Sequence, residues 1–290
     1  MLDPEKSKQI TDGTQNIKCG VINPGGLIFR FMDESYADFG EFPWVVAIIK
    51  KTNSTSTVWS QKDYVAGGTL IHPSVVVSAA RGFVNKKPDE FKIRAGEWDN
   101  SLDDESYTFQ ERDVRKIVIH PEFFKESLYN DVSLLFLAKP YDLVSAPHIG
   151  PACVGQTIPE AGTKCFGTGW GLGAKTTITS IMKKLPITLI SREECETKMK
   201  NTRLGDIFKL HESFTCGGST DDSCKGDEGA PLVCAMEGQS TRYILYGISA
   251  YRINQKGSPC VYANVPQFYK WIGERMSEEG FNSKTYTYRP

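Results

Sequence analysis

The chain carries almost no net charge: 34 Lys and Arg stand against 35 Asp and Glu, a formal −1 at pH 7. That balance gives no reason to expect nucleic acid or an anionic membrane as a partner, and no basic tract with interleaved aromatics stands out locally. Long hydrophobic runs are also missing. No apolar stretch approaches the ~20 residues that cross a bilayer as a helix. Histidine is scarce, and His72, His120, His148 and His211 show no metal-ligand spacing, which argues against a histidine-built metal centre and leaves them structural or surface roles. Met1-Leu2-Asp3-Pro4-Glu5-Lys6 has neither the basic start nor the apolar core of a secretory signal. Internal repeats and low-complexity segments are absent, which excludes a repeat architecture.

Apolar residues and cysteines are what the chain does have. A hydrophobic content of 40% over 290 residues can bury a substantial core, as one large domain or two small ones. Eight cysteines, from Cys19 to Cys260, form an even set that points to an oxidising compartment, with roughly 105 complete pairings open. An edited chain, a fragment or an unusual gene start would each reconcile that compartment with the missing signal.

Residues 1–30 are polar and punctuated by Asn23-Pro24-Gly25-Gly26, the pattern of a tail or linker, here one that holds Cys19. Beyond them, β-branched and aromatic runs lie between turn residues. Trp44 to Ile49, Val75 to Val77, Ile117 to Ile119 and Val132 to Leu137 are strand candidates, and the pattern predicts an all-β class. A short helix is expected between Ser191 and Leu210. Phe268, Trp271, Ile272 and Met276 recur at helical spacing and predict a terminal amphipathic helix on the body. Residues 277–290 turn polar again and are expected to fray as a C-terminal tail.

Several ordered motifs carry a family resemblance. Ser223-Cys224-Lys225-Gly226-Asp227-Glu228-Gly229-Ala230-Pro231-Leu232 resembles the nucleophile loop of trypsin-like serine proteases, Gly-Asp-Ser-Gly-Gly-Pro-Leu, with Glu228 at the serine. Val76-Val77-Ser78-Ala79-Ala80-Arg81-Gly82 is similar to Thr-Ala-Ala-His-Cys, with Arg81 at the general base. Asn130-Asp131-Val132-Ser133-Leu134-Leu135 resembles the strand of the orienting aspartate, placing Asp131 there. Gly40-Glu41-Phe42-Pro43-Trp44, Gly67-Gly68-Thr69-Leu70-Ile71, Gly169-Trp170-Gly171 and Pro259-Cys260-Val261-Tyr262-Ala263-Asn264-Val265 follow the family's order, so the resemblance spans roughly residues 28–276. It implies two six-stranded antiparallel β-barrels of chymotrypsin type with a C-terminal helix, in a protease-like domain over residues 31–276. A narrower likeness, through Cys19-Gly20-Val21, Arg94-Ala95-Gly96-Glu97-Trp98-Asp99, Arg203-Leu204-Gly205 and Phe208 to Phe214, is to the protease-like domain of arthropod clip-domain serine protease homologues. That group includes masquerade-like proteins and prophenoloxidase-activating cofactors. It commonly has glycine at the lost serine, so Glu228 departs even from it. Only Cys19 precedes the protease-like region, so no clip domain is expected in this chain.

The resemblance implies the pairings Cys19–Cys153, Cys165–Cys234, Cys195–Cys216 and Cys224–Cys260. Ala66 and Gly82 stand where a further bridge would be, a paired loss that leaves no stray thiol. It also removes the chemistry. Arginine stays protonated and accepts no proton, and a carboxylate cannot replace the serine in acyl transfer. Brought together, Arg81, Asp131 and Glu228 are predicted to form an ion-paired plug; the alternative is an Arg81 and a Glu228 that both face solvent. In active relatives a newly cut Ile-Val-Gly-Gly terminus pairs with the aspartate equivalent to Asp227. Phe29-Arg30-Phe31-Met32-Asp33-Glu34 lacks that sequence, so a zymogen-like arrangement is expected.

Asp222 takes the position that binds basic side chains, with Tyr251 and Cys260 expected to block the pocket. Glu97, Asp99 and Asp104, with Asp103 and Glu105, resemble a calcium loop, and their oxygens suit Ca²⁺; a solvated acidic loop is the alternative. No cofactor is required, Ca²⁺ being the one candidate. Asn53-Ser54-Thr55 is a glycosylation sequon. The implied function is a secreted, non-catalytic regulator or cofactor in an immune protease cascade of melanisation type, binding extracellular proteases or prophenoloxidase, without nucleic acid or a membrane span. The alternative is an independent extracellular ligand-binding or adhesion protein that recognises microbial surfaces or glycans.

Overall fold

The computed structural model describes residues 18–28, 33–52, 56–60, 62–102, 105–171, 179–219 and 227–288. Strands β1 (Val45–Lys50), β2 (Tyr64–His72), β3 (Val75–Ser78), β4 (Phe91–Ala95), β5 (Gln110–Ile119) and β6 (Ser133–Leu137) close into an antiparallel barrel in the order β1-β2-β3-β6-β5-β4. Their sequences explain the closure. Strands β3 and β6 are buried along their whole length and β1 at all but its last residue, so neither face tolerates alternation with polar groups.

The second half begins with the two-residue strand β7 (Cys153–Val154) and continues with β8 (Lys164–Gly169), β9 (Lys183–Ile190), β10 (Phe214–Gly218), β11 (Pro231–Met236), β12 (Gln239–Arg252) and β13 (Cys260–Asn264). Their order is β11-β8-β9-β10-β13-β12, and pairing of β11 with β12 closes a second six-stranded antiparallel ring. Strand β7 adds to β12 in parallel, Cys153 opposite Ile244. The two-barrel architecture is therefore present. Trp44, Trp170, Phe39, Phe83, Phe91, Phe136 and Phe214 are fully buried in it.

Helix α1 (Arg192–Lys200) follows β9. Ser191 caps it by accepting from the Glu194 N–H, with Glu193 and Glu194 in the first turn and Lys198 and Lys200 in the last, each charge favoured by the helix dipole. Helix α2 (Val265–Glu278) starts with Pro266 in its first turn and buries Val265, Phe268, Trp271, Ile272 and Met276, the periodic face read in the sequence. No described helix is long and apolar enough to cross a membrane.

Both ends of the described chain are tied down. After α2 the tail does not fray: Thr285 and Tyr286 are buried, the Val154 N–H donates to the Tyr286 carbonyl at 2.7 Å, and Thr287 pairs with Val154. Aromatic burial outweighs the polar composition of this segment. At the other end, residues 18–28 run as a strap across both barrels. Gly20 N–H donates to the Pro151 carbonyl, Tyr243 N–H to the Gly20 carbonyl, and Leu27 N–H to the Phe39 carbonyl. Disulfides Cys19–Cys153, Cys165–Cys234 and Cys195–Cys216 form as the resemblance implied. Cys260 is also disulfide-bonded, and its expected partner Cys224 lies outside the described residues.

Candidate functional site: one guanidinium and two carboxylates

The site is built where the barrels meet. Arg81 opens a single 3-10 turn, Arg81–Phe83, after β3 has delivered the chain to the cleft. Asp131 precedes β6 and is fully buried. Glu228 lies in the turn before β11, which is bonded to both barrels: Gly67 N–H donates to the Glu228 carbonyl at 2.8 Å, and Gly229 N–H to the Ser249 carbonyl at 3.1 Å. Gly229 has φ +78°, and a Cβ there would stand 2.3 Å from Ser78 Oγ, so only glycine makes the turn that presents Glu228.

Arg81 gathers every acceptor in reach. Its backbone N–H donates to Asp131 Oδ1 at 2.9 Å, and its Nη1 lies 3.0 Å from Asp131 Oδ2. Its Nε lies 2.8 Å from Glu228 Oε1, and its Nη2 donates to the Ala250 carbonyl on β12. The Nη1–Oδ2 contact is a charge contact without hydrogen-bond angles. Side-chain exposures of 18% for Arg81, 0% for Asp131 and 33% for Glu228 decide between the two sequence readings in favour of the plug. Burial pushes Asp131 up to about 6, while the Arg81 guanidinium and backbone N–H groups favour its charge; it is ionised at neutral pH. An arginine side chain offers no acceptor for a proton, and Glu228 carries a carboxylate with no hydroxyl.

Beside the plug, Asp227 is buried against the backbone of Gly169-Trp170-Gly171. A Cβ on Gly171 would meet Asp227 Oδ1 at 2.7 Å, so this close approach requires glycine. Burial raises Asp227 to about 6, countered by the Tyr64 hydroxyl and the Trp170 and Gly171 amides. Among the described residues no cation pairs with it. Tyr64 is itself raised, by burial first and then by the Asp227 charge.

The sequence model described as Trypsin matches residues 33–272, most of the chain and both barrels. The chain belongs to the trypsin family. It is 38% identical over 300 residues to "Phenoloxidase-activating factor 2" of Galleria mellonella, covering 99% of this chain and 98% of that protein. It is 38% identical to "Inactive CLIP domain-containing serine protease A8" of Anopheles gambiae, over 88% of this chain and 70% of the relative, and 36% identical to "Inactive CLIP domain-containing serine protease A28" of the same species, over 92% and 70%. Among solved structures, mouse neuropsin, a serine protease, superposes with a TM-score of 0.66 at 23% identity, over 83% of this chain and 98% of neuropsin, a likeness of fold.

The other residues singled out within this trypsin-family chain fare differently. Tyr251 is part-buried and turns onto Phe214, ring centroids 5.4 Å apart; burial first, and then Tyr129, raise its phenol to about 12. Arg252, and not Tyr251, stands opposite Cys260 in the β12–β13 register. Asp222, Asn53 and Asp104 lie outside the described residues. Glu97 and Asp99 are buried beside Glu105, which burial and then their charges raise to about 7. Glu97 Oε2 pairs with Arg94 Nη1 at 2.8 Å and its Oε1 accepts the Trp98 N–H, while Asp99 accepts from Ser101. No metal-holding group of three acidic, His or Cys side chains occurs among the described residues. Sequence reasoning missed Arg94, which is 2% exposed and also bonds Glu111 at 2.7 Å. It missed the Ala250 carbonyl too, a backbone acceptor with no signature in residue type. A buried arginine in a strand was the available signal, since such a charge needs carboxylates around it.

Proposed function

We propose that this chain is a non-catalytic trypsin-family protein that acts by binding, as a regulator or cofactor in an extracellular immune protease cascade of melanisation type, with an active protease or prophenoloxidase as its partner. The non-catalytic part rests on one observation: the guanidinium of Arg81 occupies the general-base position and is bonded to both Asp131 and Glu228. An arginine at the base position accepts no proton, and Glu228 brings no hydroxyl to be activated for acyl transfer. The cascade part is supported by near full-length similarity to a phenoloxidase-activating factor and by relatives whose names call them inactive. Disulfides at every described cysteine support secretion. The reading needs no cofactor.

The test pairs two assays on the purified chain. Incubation with fluorogenic peptides and with a serine-directed phosphonate is expected to give neither hydrolysis nor a covalent adduct; labelling would overturn the non-catalytic reading. Addition to a prophenoloxidase activation mixture is expected to change the activation rate, with the protease or prophenoloxidase recovered on the immobilised chain. Recovery of microbial glycans with unchanged activation would instead establish an independent binding protein.

A further inference from the structure

The three described bridges sit in different surroundings. Cys165–Cys234 lies in an apolar cluster with Ile187, Leu232 and Tyr262, and Cys195–Cys216 in another with Met199, Leu210 and Phe214. Cys19–Cys153 packs with Met236, Ile244 and Tyr288, but it alone of the three also lies against a guanidinium. Arg242 Nη2 is 3.6 Å from Cys153 Sγ and 4.0 Å from Cys19 Sγ, and it donates to the Cys19 carbonyl at 2.9 Å. The Tyr288 ring covers the same guanidinium, 5.3 Å from Cζ. No carboxylate pairs with Arg242 among the described residues, and its buried Nε has no hydrogen-bond partner. This positive charge is therefore not neutralised by another side chain.

A disulfide opens by losing one sulfur as a thiolate, and a neighbouring cation stabilises that thiolate, whereas apolar burial disfavours it. We propose that Cys19–Cys153 is a reducible tether, opened by a dithiol reductant with Arg242 stabilising the departing Cys153 sulfur. A thiolate of the dithiol attacks Cys19 Sγ; the Cys19–Cys153 bond breaks, a mixed disulfide forms on Cys19, and Cys153 leaves as the thiolate nearer the guanidinium. The second thiol of the reagent then displaces Cys19, and the reagent closes to its own disulfide. Two electrons and two protons pass from the dithiol to the two cysteines. Both protein sulfurs are buried, so attack follows lifting of the strap from β12, where Val21 pairs with Arg242. Once open, the strap is held only by non-covalent contacts, among them the backbone bonds of Gly20 and Ile22 to residues 151 and 241–243. The inference is independent of the cascade reading.

The experiment equilibrates the folded, full chain in graded dithiothreitol redox buffers at pH 8, traps free thiols with an alkylating agent and assigns them by peptide mass spectrometry. Cys19 and Cys153 are expected to appear before Cys165, Cys234, Cys195 and Cys216. Arg242→Met should shift the opening equilibrium towards the disulfide by about tenfold, and Arg242→Lys should recover most of that shift. In the reduced wild type, alkylation of Cys153 should set in at lower pH than for an ordinary thiol, a readout that holds even if Arg242→Met fails to fold. The proposal is overturned if another bridge opens first, if Arg242→Met opens at the wild-type midpoint, or if Cys153 titrates as an ordinary thiol.

Discussion

Arg81 and Arg242 bring the same side chain to two part-buried positions, one in the cleft between the barrels and one at the back beneath the N-terminal strap. In the cleft, two carboxylates and a carbonyl surround the guanidinium. At the back it meets a carbonyl, an aromatic ring and a disulfide, with no anion among the described residues. The neighbours decide the outcome. A guanidinium with carboxylates at hand draws them together and fills the site, whereas one with no described counter-ion leaves its charge facing the sulfurs beside it. The comparison can be broken from either side, and the cleft offers the larger effects.

Arg81→Ala should have the largest. At pH 8 it leaves Asp131 fully buried and without its cation, a change that typically costs about 3–5 kcal/mol; backbone donation from residue 81 survives, so the lower end is expected, about 3 kcal/mol by denaturant unfolding. A loss below about 1 kcal/mol would mean that Arg81 is as weakly held as a surface arginine. Asp131→Asn in the Arg81→Ala background sharpens the point. Removing the stranded charge should restore at least ~1 kcal/mol of that loss, and strict additivity of the two single changes would deny the coupling. Glu228→Gln comes next. Its side chain is a third exposed, so replacing its charge while keeping an acceptor should change stability by no more than about 1 kcal/mol.

The same contrast explains how much was legible in the sequence. Arg81, Asp131 and Glu228 each sit in a motif that fixes its place in the barrels, so their convergence followed once the fold was inferred. The two barrels, α1 and the apolar face of α2 were likewise written in local runs and spacings. The strap and the C-terminal segment were read as loose because composition averages over them. A few residues hold them through contacts remote in sequence: Cys19 bridges to Cys153, Ile22 N–H donates to the Thr241 carbonyl, the Tyr286 carbonyl accepts from Val154 N–H, and the Tyr288 ring covers Arg242. What the acidic loop's sequence left out was Arg94, which pairs with Glu97 and Glu111.

His148 supplies the third variant of the theme: a titratable group whose neighbours leave no place for charge. The residue is 3% exposed, its ring clustered with Phe39 at 5.8 Å and Tyr107 at 5.3 Å, with Nε2 3.2 Å from the Thr108 carbonyl and Nδ1 buried without a hydrogen-bond partner among the described residues. Burial lowers its pKa from the ordinary 6.5, against the Thr108 carbonyl. Below about pH 6.5 the unfolded chain therefore binds a proton that the folded chain refuses, so the His148 contribution is present above that pH and lost as pH falls through the folded value. Asp131 and Asp227, each raised by burial to about 6, and Glu105, raised to about 7, act in the opposite sense, because there the folded state holds the extra proton. The raw pH profile mixes the two, and the difference between wild type and His148→Phe isolates the histidine. Between pH 6.5 and 5 the wild type should lose stability relative to the variant with a slope of at most about 1.4 kcal/mol per pH unit, whatever the offset between them at pH 8. Parallel profiles would show that His148 is protonated as freely in the folded chain as in the unfolded one, and that a proton on Nδ1 finds a partner there after all.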